Sequence, residues 1–179
     1  MLRRLARAAL SMLLCAALLF LPACSPGEKE AQEPVTAGFE CDIAVQYQEM
    51  DIQGHLTRRS AGSLLLEITE PSTLNGLSME WDGESITMKI HGLSFGVDPS
   101  ALPESALGQG LLSALDAAIG QREERAQTQE GLATSGSITQ GEFILVSDPE
   151  TGSLLSLNIP AMGLTAEFSN FALTGAAGG

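Results

Sequence analysis

The chain has 179 residues, 44% hydrophobic but only 4% aromatic, and its 9 bases against 22 acids give a formal charge of −13. That balance excludes the clustered Lys and Arg with which proteins grip nucleic acid phosphates or anionic lipid headgroups. The length suits one domain with a single hydrophobic core.

Arg3, Arg4 and Arg7 precede an apolar run over residues 8–21. The run is shorter than the roughly 20 residues that span a bilayer and fits the core of a secretory signal. It ends in Leu21-Pro22-Ala23-Cys24, which resembles a bacterial lipobox: a branched apolar residue, a small residue and the cysteine to be modified. The resemblance implies that residues 1–23 are removed and that Cys24 becomes a diacylated N-terminus. The protein would then sit outside the cytoplasm, anchored to the cell membrane by this lipid. In a cell with two membranes, Ser25 would permit transfer to the outer one. An ordinary cleaved signal and a signal anchor are the alternatives. The 156 residues from Cys24 onward keep six bases against all 22 acids, a charge of −16, so the domain should stand off the membrane. One acyl chain anchors only marginally, whereas two suffice.

Of three cysteines, Cys15 lies in the signal and Cys24 takes the lipid, leaving Cys41 without an intramolecular partner. Its neighbours Glu40 and Asp42 disfavour a reactive thiolate, so it reads as a small buried hydrophobe. Residues 24–38 hold prolines, glycines and glutamates and read as a flexible tether.

At Phe39 the apolar period becomes two. Phe39, Cys41, Ile43, Val45 and Tyr47 share one face and acids and glutamines the other, which predicts a strand over residues 39–47 with one wet side. Further strands are expected over 51–59 and 63–69, the last ended by Pro71. Residues 77–81 and 85–90 flank Asp82-Gly83, a hairpin signal, and 93–97 follows. These links are too short for crossover helices, so the strands are antiparallel. Between Pro103 and Ile119, Leu107, Leu111, Leu115 and Ile119 recur every four residues with Leu112, Ala114 and Ala118 beside them, predicting one amphipathic helix. Ser100 or Ser105 is the expected cap and Gly120 the expected close, while Gly108 and Gly110 weaken the first turn by about 1 kcal/mol each. Residues 121–130 are polar and read as a helical extension or mobile loop. Strands resume over 131–138, 142–147, 153–159 and 164–173, with a turn at Asp148-Pro149-Glu150-Thr151-Gly152. In the last strand the apolar parity flips between Phe168 and Phe171, predicting a bulge near Ser169-Asn170. Residues 175–179 read as a disordered tail.

A curved antiparallel sheet of about 9–11 strands, a half β-barrel with one amphipathic helix on its concave face, gives the helix stripe and the strands' apolar faces a partner. With the lipobox, Leu66-Glu67-Ile68-Thr69-Glu70-Pro71, the Trp81-Asp82-Gly83 turn, the mid-chain helix and the closing Asp-Pro-Glu-Thr-Gly-Ser hairpin, the chain resembles the lipoprotein-localisation carrier superfamily, LolA/LolB-like. The resemblance extends over about 130 residues and implies a half-barrel over residues 39–174 whose hollow binds acyl chains. The corresponding wall would be Ile43, Val45, Leu64, Leu66, Met79, Trp81, Met88 and Ile90, and the lid Leu107, Leu111, Leu112 and Leu115. The alternative is a closed core, in an envelope lipoprotein that acts through protein contacts.

Zinc-protease and phosphate-loop motifs are absent. His55 and His91 have no second ligand at metal spacing, Asp98 and Asp148 precede prolines as turn formers, and Glu123-Glu124 lies in a polar run that would not desolvate them. The expectation is therefore a monomeric, non-catalytic protein without cofactor, metal or nucleic acid partner, whose ligand is an acyl-chain lipid or a lipoprotein.

Overall fold

The period-two alternation from Phe39 onward becomes β1 (Phe39–Tyr47), in which every second residue from Phe39 to Val45 is buried. In the computed structural model, residues 38–101, 106–119 and 125–174 are described, all within the unit Ala31–Gly179. The signal segment, Cys24, the tether, Ser105, Gly120, Glu123-Glu124 and the tail lie outside these residues. After β1 come β2 (Met50–Arg58), β3 (Ser63–Glu70), β4 (Ser78–Asp82), β5 (Ile86–Ile90) and β6 (Leu93–Val97). Helix α1 (Leu107–Ala118) follows, then β7 (Arg125–Gln127), β8 (Leu132–Ile138), β9 (Gly141–Ser147), β10 (Leu154–Ile159) and β11 (Leu164–Leu173).

The strands form one antiparallel sheet in the order β6-β5-β4-β3-β2-β1-β11-β10-β9-β8-β7. Its centre is the pairing of the first strand with the last, Ile43 opposite Phe168 and Val45 opposite Ala166. Two meanders grow outward from there, so the chain must pass from the edge strand β6 to the opposite edge β7, and α1 lies in that passage. The helix touches β3 on one arm of the sheet and β8 and β9 on the other. In a flat sheet β3 and β8 would lie about 29 Å apart, six strand spacings, whereas a 12-residue helix is about 18 Å long and 10–12 Å wide. The sheet therefore curls around the helix, and it stays open because β6 and β7 do not pair. This is the expected half-barrel.

Local chemistry explains the turns. His91 and Gly92, both at positive φ (47° and 84°), link the paired Ile90 and Leu93 in the two-residue primed geometry that suits strand twist. The Asp82 carboxylate accepts from the Glu84 and Ser85 amides at 3.0 and 2.8 Å. The Asp98 and Asp148 carboxylates do the same for Ser100 and for Glu150 and Thr151. These bonds hold all three carboxylates below the ordinary aspartate value. The parity flip in β11 is a bulge: Glu40 and Asp42, two residues apart, face Ala172 and Ser169, three apart. Asn170 takes φ 51° there, and Phe171 turns back to stack on Phe39 with ring centroids 5.0 Å apart.

Two sequence expectations are corrected. Helix α1 starts at Leu107 with Ala106 as its N-cap and no capping side chain, while the Ser100 hydroxyl is committed to Asp98. The helix ends on its C-cap Ile119, whose amide donates to the Asp116 carbonyl at 3.3 Å, and the expected close at Gly120 lies outside the described residues. Residues 125–127, expected in a helical extension or loop, form β7 against Leu132, Ala133 and Thr134. A turn in which the Thr128 amide and hydroxyl donate to the Gly131 carbonyl, at 2.8 and 2.9 Å, creates that hairpin, and no hydrophobic period announces it.

Candidate functional site

On β3 to β6 the inward side chains are all apolar and align across the strands. Leu64, Trp81, Ile86 and Val97 form one row; Leu66, Met79, Met88 and Phe95 form the next; Ile90 and Leu93 close the hairpin. Accessibility rises along the second row, from Leu66 at 0% through half-buried Met79 and Met88 to Phe95 at 44%, with Leu93 at 64% beside it. The opposite arm shows no such gradient. There Phe143, Leu145, Leu157, Ile159 and Leu164 are buried against α1 and one another. The concave face is thus filled on one side of the helix and open on the other.

Three contacts fix the helix in this asymmetric position. The far edge of the Trp81 indole, atoms Cη2, Cζ2 and Cζ3, lies against Gly108 so closely that a Cβ there would penetrate the ring. Met162, in the turn after β10, occupies the matching place at Gly110, where a Cβ would stand 2.5 Å from its Sδ. The helix glycines that cost propensity are therefore seats for two large side chains, one from each arm of the sheet. At the other end of α1, Arg58 Nη2 donates to Asp116 Oδ1 at 2.5 Å, and the Gly62 amide donates to Asp116 Oδ2 at 3.0 Å. The Arg58 residue is 2% exposed, and its desolvation lowers the guanidinium pKa while Asp116 opposes that shift.

Each candidate wall and lid residue has a definite place. Ile43, Val45, Leu64, Leu66 and Trp81 are buried in the wall, as are Leu107, Leu111, Leu112 and Leu115 on the helix. Met79, Met88 and Ile90 are half-buried on the open arm. Sequence reasoning missed Phe95, Leu93 and Val97, although their alternation within β6 was a usable signal. It also missed Arg58, whose parity with Ile52 and Leu56 marks an arginine facing the core.

The convex face is polar. His55 Nδ1 lies 3.1 Å from Asp42 Oδ1, and Asn170 Nδ2 donates to Asp42 Oδ2 at 2.6 Å, which lowers the Asp42 pKa, Asn170 contributing most and His55 next. Asp42 and His55 border an open groove of about 390 Å³. A second groove of about 300 Å³ lies between β1 and β2, and a third of about 390 Å³ on the β8–β9 hairpin. Of the candidate wall residues, only Ile43 and Val45 border any of these three grooves, and no lid residue does. Buried Cys41 has its thiol pKa pushed up to about 12, by desolvation first and by Asp42 second. Among the described residues no group of three or more His, Cys, Asp or Glu is placed to hold a metal, and no helix is long and apolar enough to cross a membrane.

No family model matches the sequence, and no curated protein matches it. Among solved structures, the chain is similar to an uncharacterised conserved protein from Thermus thermophilus, 11% identical with TM-score 0.49, over 83% of this chain and 85% of that one. It is also similar to a LolA superfamily protein from Nitrosomonas europaea, 11% identical with TM-score 0.45, over 82% of this chain and 90% of that one.

Proposed function

We propose that the open arm of the concave face holds an apolar chain, the tail of a lipid or the lipid moiety of a lipidated protein. The protein then acts as a non-catalytic binding or sensing module, held outside the cytoplasm by a lipid on Cys24. One observation carries this reading: on the inner face of β4 to β6 the row Met79, Met88 and Phe95, with Ile90 and Leu93 beside it, is continuously apolar yet only partly covered, with Phe95 and Leu93 exposed. A contiguous exposed apolar surface rimmed by polar residues marks a binding site more often than chance. Met79 and Met88 at its centre can repack around irregular chains, and each buried methylene of a ligand would add about 0.8 kcal/mol. The reading of Cys24 rests on the lipobox-like tetrad.

Native mass spectrometry of the full chain purified from its own envelope tests the proposal. Lipid adducts are expected, and they should vanish in a Met88→Glu, Phe95→Glu double variant whose unfolding temperature is unchanged. A clean mass that stays clean after phospholipid or free lipoprotein is added would refute lipid binding and favour the closed-core interaction protein. Separately, Cys24→Ser should move the chain from the membrane fraction to the soluble extract if the lipid is its anchor.

A further inference from the structure

The ligand's polar end has its own place in the structure. Trp81 is 4% exposed, yet among the described residues its Nε1–H meets no acceptor, and a buried donor left unpaired is both rare and costly. Nε1 is two covalent bonds from Cζ2, one of the atoms against Gly108, so the unmet donor flanks the first turn of α1. That turn has no side-chain cap and no acidic residue. Its first helical bond is the Gly110 amide to the Ala106 carbonyl at 3.0 Å, which leaves the amides of Leu107, Gly108 and Gln109 without an acceptor inside the helix. The ring that carries this buried donor packs against the first turn of an uncapped helix start, which favours electron-rich groups. Met79 lies two residues from Trp81 on the same face of β4, about 7 Å away, and opens the row through Met88 to Phe95.

Resting on the reading above, we infer that the cargo is an acyl compound, whose carbonyl oxygen accepts from Trp81 Nε1–H at the start of α1 while its tail lies across Met79, Met88 and Phe95. The head group leaves beside Ala106. The shared chemistry is an acceptor oxygen at the end of an alkyl chain, present in both a fatty carboxylate and an acyl ester. The chain's net charge of −13 favours the neutral ester over the anion.

Displacement of N-phenyl-1-naphthylamine from the delipidated full chain tests this. The competitors are methyl palmitate, palmitate and hexadecane, each delivered from cyclodextrin. Methyl palmitate is expected to compete about five- to tenfold better than hexadecane, the worth of one hydrogen bond, with palmitate between them. Trp81 is the only tryptophan, so its emission should shift with the ester and not with the alkane. Trp81→Phe keeps the ring and removes the donor, and should bring ester and alkane to equal affinity. Equal competition by all three in the unaltered chain would overturn the carbonyl assignment and leave the apolar reading standing. So would an ester preference that survives in folded Trp81→Phe. Failure of the probe and all three competitors to bind would overturn both. If Trp81→Phe does not fold, the affinity ratio and the emission shift of the unaltered chain decide the matter alone. Palmitate binding better than the ester would identify the source as free fatty acid.

Discussion

The two arms of the sheet have the same kind of inner face and opposite surroundings. On β9, β10 and β11 the inward apolar side chains are buried in one core with α1; on β5 and β6 Ile86 is buried, but Met88 and Ile90 are half-buried and Phe95 and Leu93 stay exposed. The difference comes from where the connection between the edges runs. Trp81 and Met162 each claim a glycine on the same helix, so one 12-residue helix is held against both arms yet covers only part of the hollow. Stability should therefore concentrate in the covered arm and ligand contact in the open one.

Equivalent truncations on the two sides should break the symmetry most. Leu111 is 0% exposed, so Leu111→Ala should cost about 2–5 kcal/mol by lost burial and cavity. Phe95 is 44% exposed, and Phe95→Ala should cost less than about 1 kcal/mol while abolishing ligand adducts. Urea denaturation of both variants checks this. Equal losses would mean that the open arm is packed as tightly as the closed one.

The Arg58–Asp116 pair sharpens the comparison because its partners are unequally buried. Their side chains are 3% and 33% exposed. Removing one partner of a buried pair costs about 3–5 kcal/mol when the other is left uncompensated in the interior. Asp116→Ala strands a buried guanidinium and also releases the Gly62 amide, so it should lie near the lower end of that range. Arg58→Met leaves an aspartate that water reaches, and about 1 kcal/mol is expected. Thermal unfolding should rank Asp116→Ala well below Arg58→Met; the reverse order would mean that the carboxylate, not the guanidinium, bears the burial cost.

Gly108 sets helix propensity against packing. Alanine gains about 1 kcal/mol of propensity over glycine, while overpacking costs about 1–3 kcal/mol. The clash is with the far edge of a large ring wedged between β4 and the helix, so packing should win and Gly108→Ala should destabilise by about 1 kcal/mol. A gain in stability would show that the indole can slide toward the open arm.

Legibility followed the range of the physics. Strand existence, the bulge in β11 and the hairpins were visible because period-two burial and Asp-Gly or positive-φ turns are local in sequence. The half-barrel followed because one helix stripe had to cover two sets of strand faces. The helix start was misplaced because Ser100 serves the Asp98 turn instead of the cap, and β7 was missed because an edge strand of three residues needs only backbone pairing. The glycines at 108 and 110 showed only their cost in propensity, since their benefit lies in residues 27 positions earlier and 52 later. Which arm stays open was invisible for the same reason: it depends on which long-range partners the helix finds.

Titration separates the inner face from the outer one. Asp42, Asp82, Asp98 and Asp148 on exposed turns and strands all have lowered pKa values. Their stabilisation is present above the unfolded value of 3.8 and is lost as pH falls through their folded values, so the acid limb should begin below about pH 4. Cys41 acts in the opposite sense. Its folded pKa of about 12 exceeds the unfolded 9.0, so its contribution is intact below pH 9 and fades between 9 and 12 as the unfolded thiol ionises. At pH 10, one unit above the unfolded value, the loss should be about 1.4 kcal/mol. Cys41→Ala lacks that step, so its stability deficit against the unaltered chain should narrow by about that amount between pH 8 and pH 10. A deficit that stays constant would mean that water reaches Cys41 through the centre of the sheet, and that the covered arm is less tightly closed than its buried side chains imply.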